Sequence, residues 1–151
     1  MENTLVFKTK IGSIELKEQN AMLISCQFTK KKDYHVNNKF LNKCKKEILE
    51  YLDGSRKKFS VKLNPKGTAF QKKVWQGLQG ISYGQTLSYK NMGEKFNIKG
   101  YRAIGNANGK NPICIIIPCH RVIAHDGTLG GYSGGLDKKE KLLKLEGISF
   151  N

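Results

Sequence analysis

Between Leu5 and Phe28 apolar and polar positions come in short strand-like runs, and further along the chain the apolar residues recur at three- and four-residue steps. The first pattern predicts strands and the second predicts amphipathic helices. Strand segments fall at Leu5-Val6-Phe7, Ile14-Glu15-Leu16 and Ala21-Met22-Leu23-Ile24, with hairpin turns at Ile11-Gly12-Ser13 and Glu18-Gln19-Asn20. Between Asn37 and Leu52 the apolar positions are Phe40, Leu41, Cys44, Ile48, Leu49 and Leu52, and Asp53-Gly54 stops them, which predicts one helix. Phe59 to Leu63 alternates as a further strand, and Asn64-Pro65-Lys66-Gly67 reads as a linker. The expected division is an N-terminal α/β domain over residues 1–64 and a second domain over residues 65–151.

Past the linker, Thr68 is placed to cap a helix through Leu78 with Phe70, Val74, Trp75 and Leu78 on its buried stripe. After the turn Ser82-Tyr83-Gly84-Gln85, Thr86 caps a second helix to about Phe96. A third runs from Tyr101 to Asn108 beyond Asn97-Ile98-Lys99-Gly100. Two short helices joined by a tight glycine-bearing connection predict a helix-turn-helix, with the Tyr101 helix as its recognition helix. That helix is rich in small residues, which suits either a close approach to a nucleic-acid groove or tight packing on a strand at Ile113; Arg102 at its start favours the groove. The segment Asp126 to Gly135 is a glycine-rich loop without the GK[ST] of a phosphate cradle, so its glycines would let backbone N–H groups approach a flat ligand. A last helix, Leu136 to Glu146, with Leu142, Leu143 and Leu145 inward, ends at Gly147.

Candidate chemistry sits just after the apolar run Ile113-Cys114-Ile115-Ile116-Ile117, which predicts a buried strand, in the hexapeptide Pro118-Cys119-His120-Arg121-Val122-Ile123. Pro118 would end the strand, so that Cys119 and His120 could face one substrate. Two readings stand at this point. Cys119 is a nucleophile with a base beside it, or it is a buried apolar thiol, as Cys114 is expected to be.

Charge adds a partner class. The 27 Lys and Arg outnumber the 12 Asp and Glu, giving a net charge of +15 over 151 residues, a field that attracts polyanions such as nucleic acid. The runs Lys30-Lys31-Lys32, Lys45-Lys46 and Arg56-Lys57-Lys58 look more like solvated faces than a binding code. The four cysteines, Cys26, Cys44, Cys114 and Cys119, form no CxxC pair, and His35, His120 and His125 complete no zinc-ligand spacing, so neither disulfides nor a metal is expected. The segment from Met1 to Lys10 lacks the apolar core of a signal peptide, and no stretch approaches the roughly 20 apolar residues of a membrane span. A reducing, cytoplasmic compartment is the expectation.

The motifs converge on one family. Asn111-Pro112-Ile113 through Ile123, then Tyr132-Ser133-Gly134-Gly135-Leu136 and Leu145-Glu146-Gly147, resemble the O6-alkylguanine-DNA alkyltransferases, also called methylated-DNA–protein-cysteine methyltransferases. Phe70-Gln71, Val74-Trp75, Tyr83-Gly84, Ser88-Tyr89 and Arg102-Ala103-Ile104-Gly105 follow in the same order, so the likeness runs from Thr68 to Gly147. The N-terminal half shares only the rhythm of three strands and a helix. The resemblance implies an α/β (α+β) fold: a small ribonuclease-H-like antiparallel sheet with a helix, then a winged-helix-like helix-turn-helix domain carrying the active cysteine. It also implies direct, single-use repair of duplex DNA, in which the alkyl group of O6-alkylguanine, and less readily of O4-alkylthymine, moves to Cys119 after the base is flipped out.

Roles carried over by the resemblance are specific. Cys119 is the nucleophile, His120 takes its proton through a water, Glu146 orients the imidazole, Asn111 braces the turn and Tyr89 donates its phenol proton towards guanine N3. Arg102 enters the duplex, with Ala103, Gly105 and Ser88 at the DNA surface. Val122, Tyr132, Ser133 and Gly134 line the base pocket, where backbone groups of Cys119, Val122 and Ser133 read the base edge. The implied protein is a monomer without cofactor, metal or membrane partner, working in the cytoplasm with access to the nucleoid, or in the nucleus of a eukaryote. Gly109 and Asn108 depart from relatives that carry an arginine and an apolar residue there. A non-catalytic damage binder of the same fold is disfavoured because Cys119 is present, and a thiol hydrolase unrelated to DNA would leave the Arg102 helix, the glycine loop and the charge unexplained.

Overall fold

The computed structural model describes residues 1–150, which form two compact units. The first comprises Met1–Lys66 together with Pro112–Ile116; the second comprises Gly67–Asn111 and Ile117 onward. In the first unit β1 (Asn3–Thr9), β2 (Gly12–Gln19) and β3 (Met22–Thr29) make an antiparallel meander in the order β1-β2-β3, with Leu5 opposite Leu16, Phe7 opposite Ile14 and Leu16 opposite Cys26. The second hairpin turns on Asn20 and Ala21, both at positive φ, one residue later than the sequence suggests. Helix α1 (Lys39–Leu52) lies on β1 and β2 and buries Leu41, Cys44, Ile48, Tyr51 and Leu52, while Leu49 stays exposed. Asn38 caps it by accepting from Leu41 N–H at 2.9 Å.

Two predicted strands are not strands. Within Phe59–Leu63 only Leu63 pairs, in a single parallel bridge to Leu23. The backbone N–H and hydroxyl of Ser60 are taken instead by the buried Glu47 carboxylate, at 2.9 and 2.5 Å. The run Ile113–Ile117 makes one parallel bridge, Cys26 with Ile113, and then turns at Ile115, whose φ is +73°. All five of its side chains are buried. The chain turns inside the run, ahead of Pro118, so proline does not end a strand there. An apolar run reports burial, which a turn can satisfy as well as a ladder.

In the second unit Thr68 and Gln71 form a reciprocal capping box that opens α2 (Ala69–Gln79), which buries Val74, Trp75 and Leu78 and leaves Phe70 exposed. The helix-turn-helix is α3 (Tyr89–Phe96) followed by α4 (Tyr101–Gly109). Ser88, not Thr86, caps α3, accepting from Asn91 N–H at 3.0 Å, because Leu87–Ser88 form β4 and pair in parallel with β5 (Val122–Ile123). Asn97 in the left-handed region and Gly100 at φ +90° make the turn. Trp75 Nε1 donates to Ala107 O at 2.8 Å, tying α2 to the end of α4. Helix α5 (Leu136–Leu145) buries Lys139, Leu142 and Leu143.

Gly93 marks the closest approach in the helix-turn-helix, since a Cβ there would stand 2.7 Å from Ile98 O and 3.2 Å from Ile104 Cδ1. Gly93→Ala is expected to cost about 1–3 kcal/mol by overpacking, read as a lowered midpoint in urea with an unchanged slope; an unchanged midpoint would show that the turn yields freely.

Candidate active site

Pro118 starts a single 3-10 turn, Cys119–Arg121, which sets Cys119 and His120 beside each other with 1% and 0% of their surfaces exposed. His120 Nε2 lies 2.7 Å from Glu146 Oε2, and Glu146 stands at the C-cap of α5. The carboxylate holds the ring proton on Nε2, so Nδ1 is the basic nitrogen. Burial lowers the His120 pKa below the usual histidine value; the Glu146 hydrogen bond and charge oppose that shift without reversing it. The imidazole is therefore neutral at neutral pH and able to accept a proton.

Protein donors take the place of water around the buried Glu146 carboxylate. Besides His120 it accepts from Arg121 Nε at 2.9 Å, Arg121 Nη2 at 3.1 Å and Gly84 N–H at 2.9 Å. Burial would raise its pKa, but the His120 and Arg121 contacts and the Gly84 N–H outweigh that and hold it at about 2. Arg121, 7% exposed, spends its remaining reach on Ile81 O at 2.7 Å and lies 5.7 Å over the Tyr83 ring.

Asn111 Nδ2 donates to Ile117 O at 2.8 Å, bracing the turn two residues before Cys119. Asn108 is buried beside it. Its Nδ2 reaches Cys119 O at 3.5 Å, and its Oδ1 has no hydrogen-bond partner, a cost of about 1–3 kcal/mol. The Tyr89 phenol is raised in pKa by burial and by the Cys119 charge, and the Asn108 amide partly offsets both. Lys139, fully buried, donates to Val122 O at 2.7 Å and Gly131 O at 3.0 Å; burial brings its pKa down to about 8, against the attraction of Cys119. It thus pins both ends of the 122–131 loop. Gly130, at φ +71°, is close to both groups, because a Cβ on it would lie 3.8 Å from Tyr89 Oη and 3.9 Å from Lys139 Nζ.

Of the residues expected in the site, Cys119, His120, Glu146, Asn111 and Tyr89 converge, and Val122 is fully buried next to them in sequence. Tyr132 and Gly134 are half-buried and Ser133 is exposed on the loop. Arg102 and Ala103 are exposed on α4, and Gly105 is half-buried with nothing within 4 Å of a Cβ built on it. Ser88 and Tyr89 line an open pocket of about 450 Å³ with Lys90, Tyr101, Ala124 and His125. Arg121 and Lys139 were missed as site residues. Arg121 directly follows His120, and Lys139 falls on the apolar stripe of α5, three and four residues before Leu142 and Leu143, where a lysine needs a buried partner. Among the described residues no group of histidine, cysteine, aspartate and glutamate could hold a metal ion, and no helix is long and apolar enough to cross a membrane.

The sequence model of the family described as "6-O-methylguanine DNA methyltransferase, DNA binding domain" matches residues 69–148, the stretch that holds both the helix-turn-helix and the Cys-His-Glu array. The chain belongs to this family. It is 46% identical over 153 residues to the methylated-DNA–protein-cysteine methyltransferase of Methanosarcina acetivorans, which covers 94% of this chain and 96% of that protein. Its fold superposes on the Mycobacterium tuberculosis O6-methylguanine methyltransferase with a TM-score of 0.86 at 34% identity, over 97% of this chain and 93% of that one. A Mycobacterium tuberculosis OGT in complex with DNA matches with a TM-score of 0.83 at 35% identity, over 93% and 90% of the two chains. The mixed fold that the resemblance implies, a three-stranded antiparallel sheet with a helix and then a helix-turn-helix, is the fold found.

Proposed function

We propose that this protein repairs DNA by taking the alkyl group of O6-alkylguanine, and less readily of O4-alkylthymine, onto Cys119 Sγ in one displacement that consumes the protein. The observation that carries the reading is the 2.7 Å His120–Glu146 contact beside a buried thiol in the same unit as a helix-turn-helix. His120 Nδ1 takes the thiol proton through a water, and Glu146 stabilises the imidazolium that forms. Sγ attacks the alkyl carbon, the bond from that carbon to O6 breaks, and Tyr89 supplies a proton to guanine N3. Val122, Tyr132, Ser133 and Gly134 form the pocket for the base, whose edge is read by the main chain of Cys119, Val122 and Ser133.

A base inside a duplex cannot reach a thiol that is 1% exposed, so the nucleotide must be extruded first. Arg102 fills the space it leaves, with Ala103, Gly105 and Ser88 along the backbone. The open surface over Gly105 and Gly109 supports this, since no protein atom lies within 4 Å of a Cβ at either position and packing does not demand glycine there. Contacts of this kind are mainly to phosphate and are sequence-tolerant. The protein acts as a monomer on duplex DNA in the compartment that holds it, the cytoplasm of a cell with a nucleoid or the nucleus of a eukaryote.

Incubation with duplex DNA carrying labelled O6-methylguanine, followed by mass spectrometry of the Cys119 peptide, tests the reading. One label per chain is expected; none after stoichiometric mixing would overturn it. Arg102→Ala should slow transfer from the duplex by roughly ten- to a hundredfold, the worth of a few kcal/mol of unstacking. Transfer from free O6-benzylguanine should be nearly unchanged. Equal losses on both substrates would remove Arg102 from the flipping step.

A further inference from the structure

Asn108 is 5% exposed on α4, and the chemistry above gives it no part. Its Nδ2 donates to the Cys119 carbonyl at 3.5 Å and Oδ1 has no partner, while the amide lies close enough to the Tyr89 phenol to favour its anion. Turning the amide over would set Oδ1 against the Cys119 carbonyl, acceptor to acceptor, so its orientation follows from the groups it serves. A buried acceptor left unmatched is rare and asks for a reason. Packing is not that reason, because leucine or methionine would fill a buried position on α4 with no polar atom to satisfy. Of the influences on the Tyr89 phenol, burial and the Cys119 charge both disfavour its anion; the Asn108 amide favours it.

We infer that Asn108 is a positioning residue of the transfer step, whose amide N–H ties the Tyr89 oxygen to the Cys119 main chain and carries the charge gathering on that oxygen as its proton leaves. This rests on the proposed alkyl transfer. The S–C bond forms as the C–O6 bond breaks, the bonding pair passes into the purine, and N3 takes the Tyr89 proton. The phenolate is then reprotonated from solvent, and the thiol proton returns to solvent by way of His120. In sum the thiol exchanges its hydrogen for the alkyl group and the purine gains one. The only charge without a fixed partner during the step is the one on the phenol oxygen, and Asn108 meets it.

The test is a double-mutant cycle on single-turnover transfer from an O6-methylguanine duplex. Asn108→Leu should slow transfer by about ten- to a hundredfold, the worth of a hydrogen bond to a charged group. In the Tyr89→Phe background the same change should cost nothing further, nor should it with a 3-deaza-O6-methylguanine duplex, which has no N3 to protonate. Asn108→Met provides the second variant if leucine lowers the melting temperature. A packing role would give equal losses with and without the phenol; that result, or no loss at all, overturns the inference. A wild-type protein that takes no label would overturn the proposed function instead, so the two failures are distinguishable.

Discussion

Cys119→Ala takes up no label from a duplex carrying labelled O6-methylguanine, while it still binds that duplex about as tightly as the wild type. The expectation follows from where the thiol sits. Cys26, Cys44 and Cys114 are the alternative acceptors in the first unit; Cys114 is buried, and burial pushes the first two thiols up in pKa, Cys44 to about 12. Cys26 and Cys44 are not nucleophiles at neutral pH, since the thiolate is the reactive form, and Cys114 is 1% exposed with no imidazole beside it in sequence. Cys119 alone has an oriented imidazole next to it in sequence and a charge-bearing lysine within electrostatic reach. Loss of one small buried side chain should cost stability only about 1 kcal/mol, so a melting curve separates loss of chemistry from loss of fold. Label on the Cys119→Ala protein, at any other residue, would show that the nucleophile has been misassigned. Absence of lesion binding by a folded variant would show that Cys119 holds the base as well as reacting with it.

Glu146→Gln should reduce transfer by about 10²–10⁴-fold, the usual worth of general-base assistance, and destabilise the fold by about 3–5 kcal/mol. The second figure is what removing one partner of a buried ion pair costs, because Arg121 is left buried without its anion. The pH dependence distinguishes this from ordinary packing damage. Glu146 titrates at about 2 in the fold, below the usual 4.3 of an unfolded glutamate. The unfolded chain therefore binds the proton first as pH falls, and the contribution of Glu146, on the order of 3 kcal/mol, is complete above about pH 4.5 and lost towards pH 2. His120, whose pKa burial lowers, acts in the same direction, losing stability as pH falls through the ordinary histidine range. Chemical unfolding of the wild type between pH 7 and pH 3 should show a steep acid loss, and Glu146→Gln should flatten its lower part. Parallel curves would mean that the carboxylate is not held down by His120 and Arg121.

The elements legible from pattern are helices with a period or with recognisable ends, a side-chain cap or a flanking glycine. Helices α1, α2 and α5 have apolar stripes at helical spacing, and with α4, which follows Gly100, they fold within a residue or two of expectation. Helix α3 starts two residues later than a Thr86 cap predicts, because Thr86 and Ser88 are equally good caps. The choice between them lies in the pairing of Leu87–Ser88 with Val122–Ile123, some 35 residues away. Phe59–Leu63 has a strand's alternation, but its donors are captured by Glu47 from α1. Isoleucines from 113 to 117 have a strand's composition, and yet Ile115 adopts a left-handed conformation that a β-branched residue takes only when its surroundings dictate it.

Within the site the same divide holds. Cys119 beside His120, and the motif that ends in Glu146, are local words of the sequence, and they suffice to name the family and its chemistry. Arg121 and Lys139 as supports, and Asn108 as a buried amide with one unmatched oxygen, depend on which carbonyls and carboxylates the fold brings within 3.5 Å. Short-range physics, the period of apolar side chains and the caps that satisfy helix ends, is written along the chain and can be read there. The partner of a buried charge or amide lies 6 to 62 positions away, outside the reach of any local pattern, so it exists only once the chain has folded.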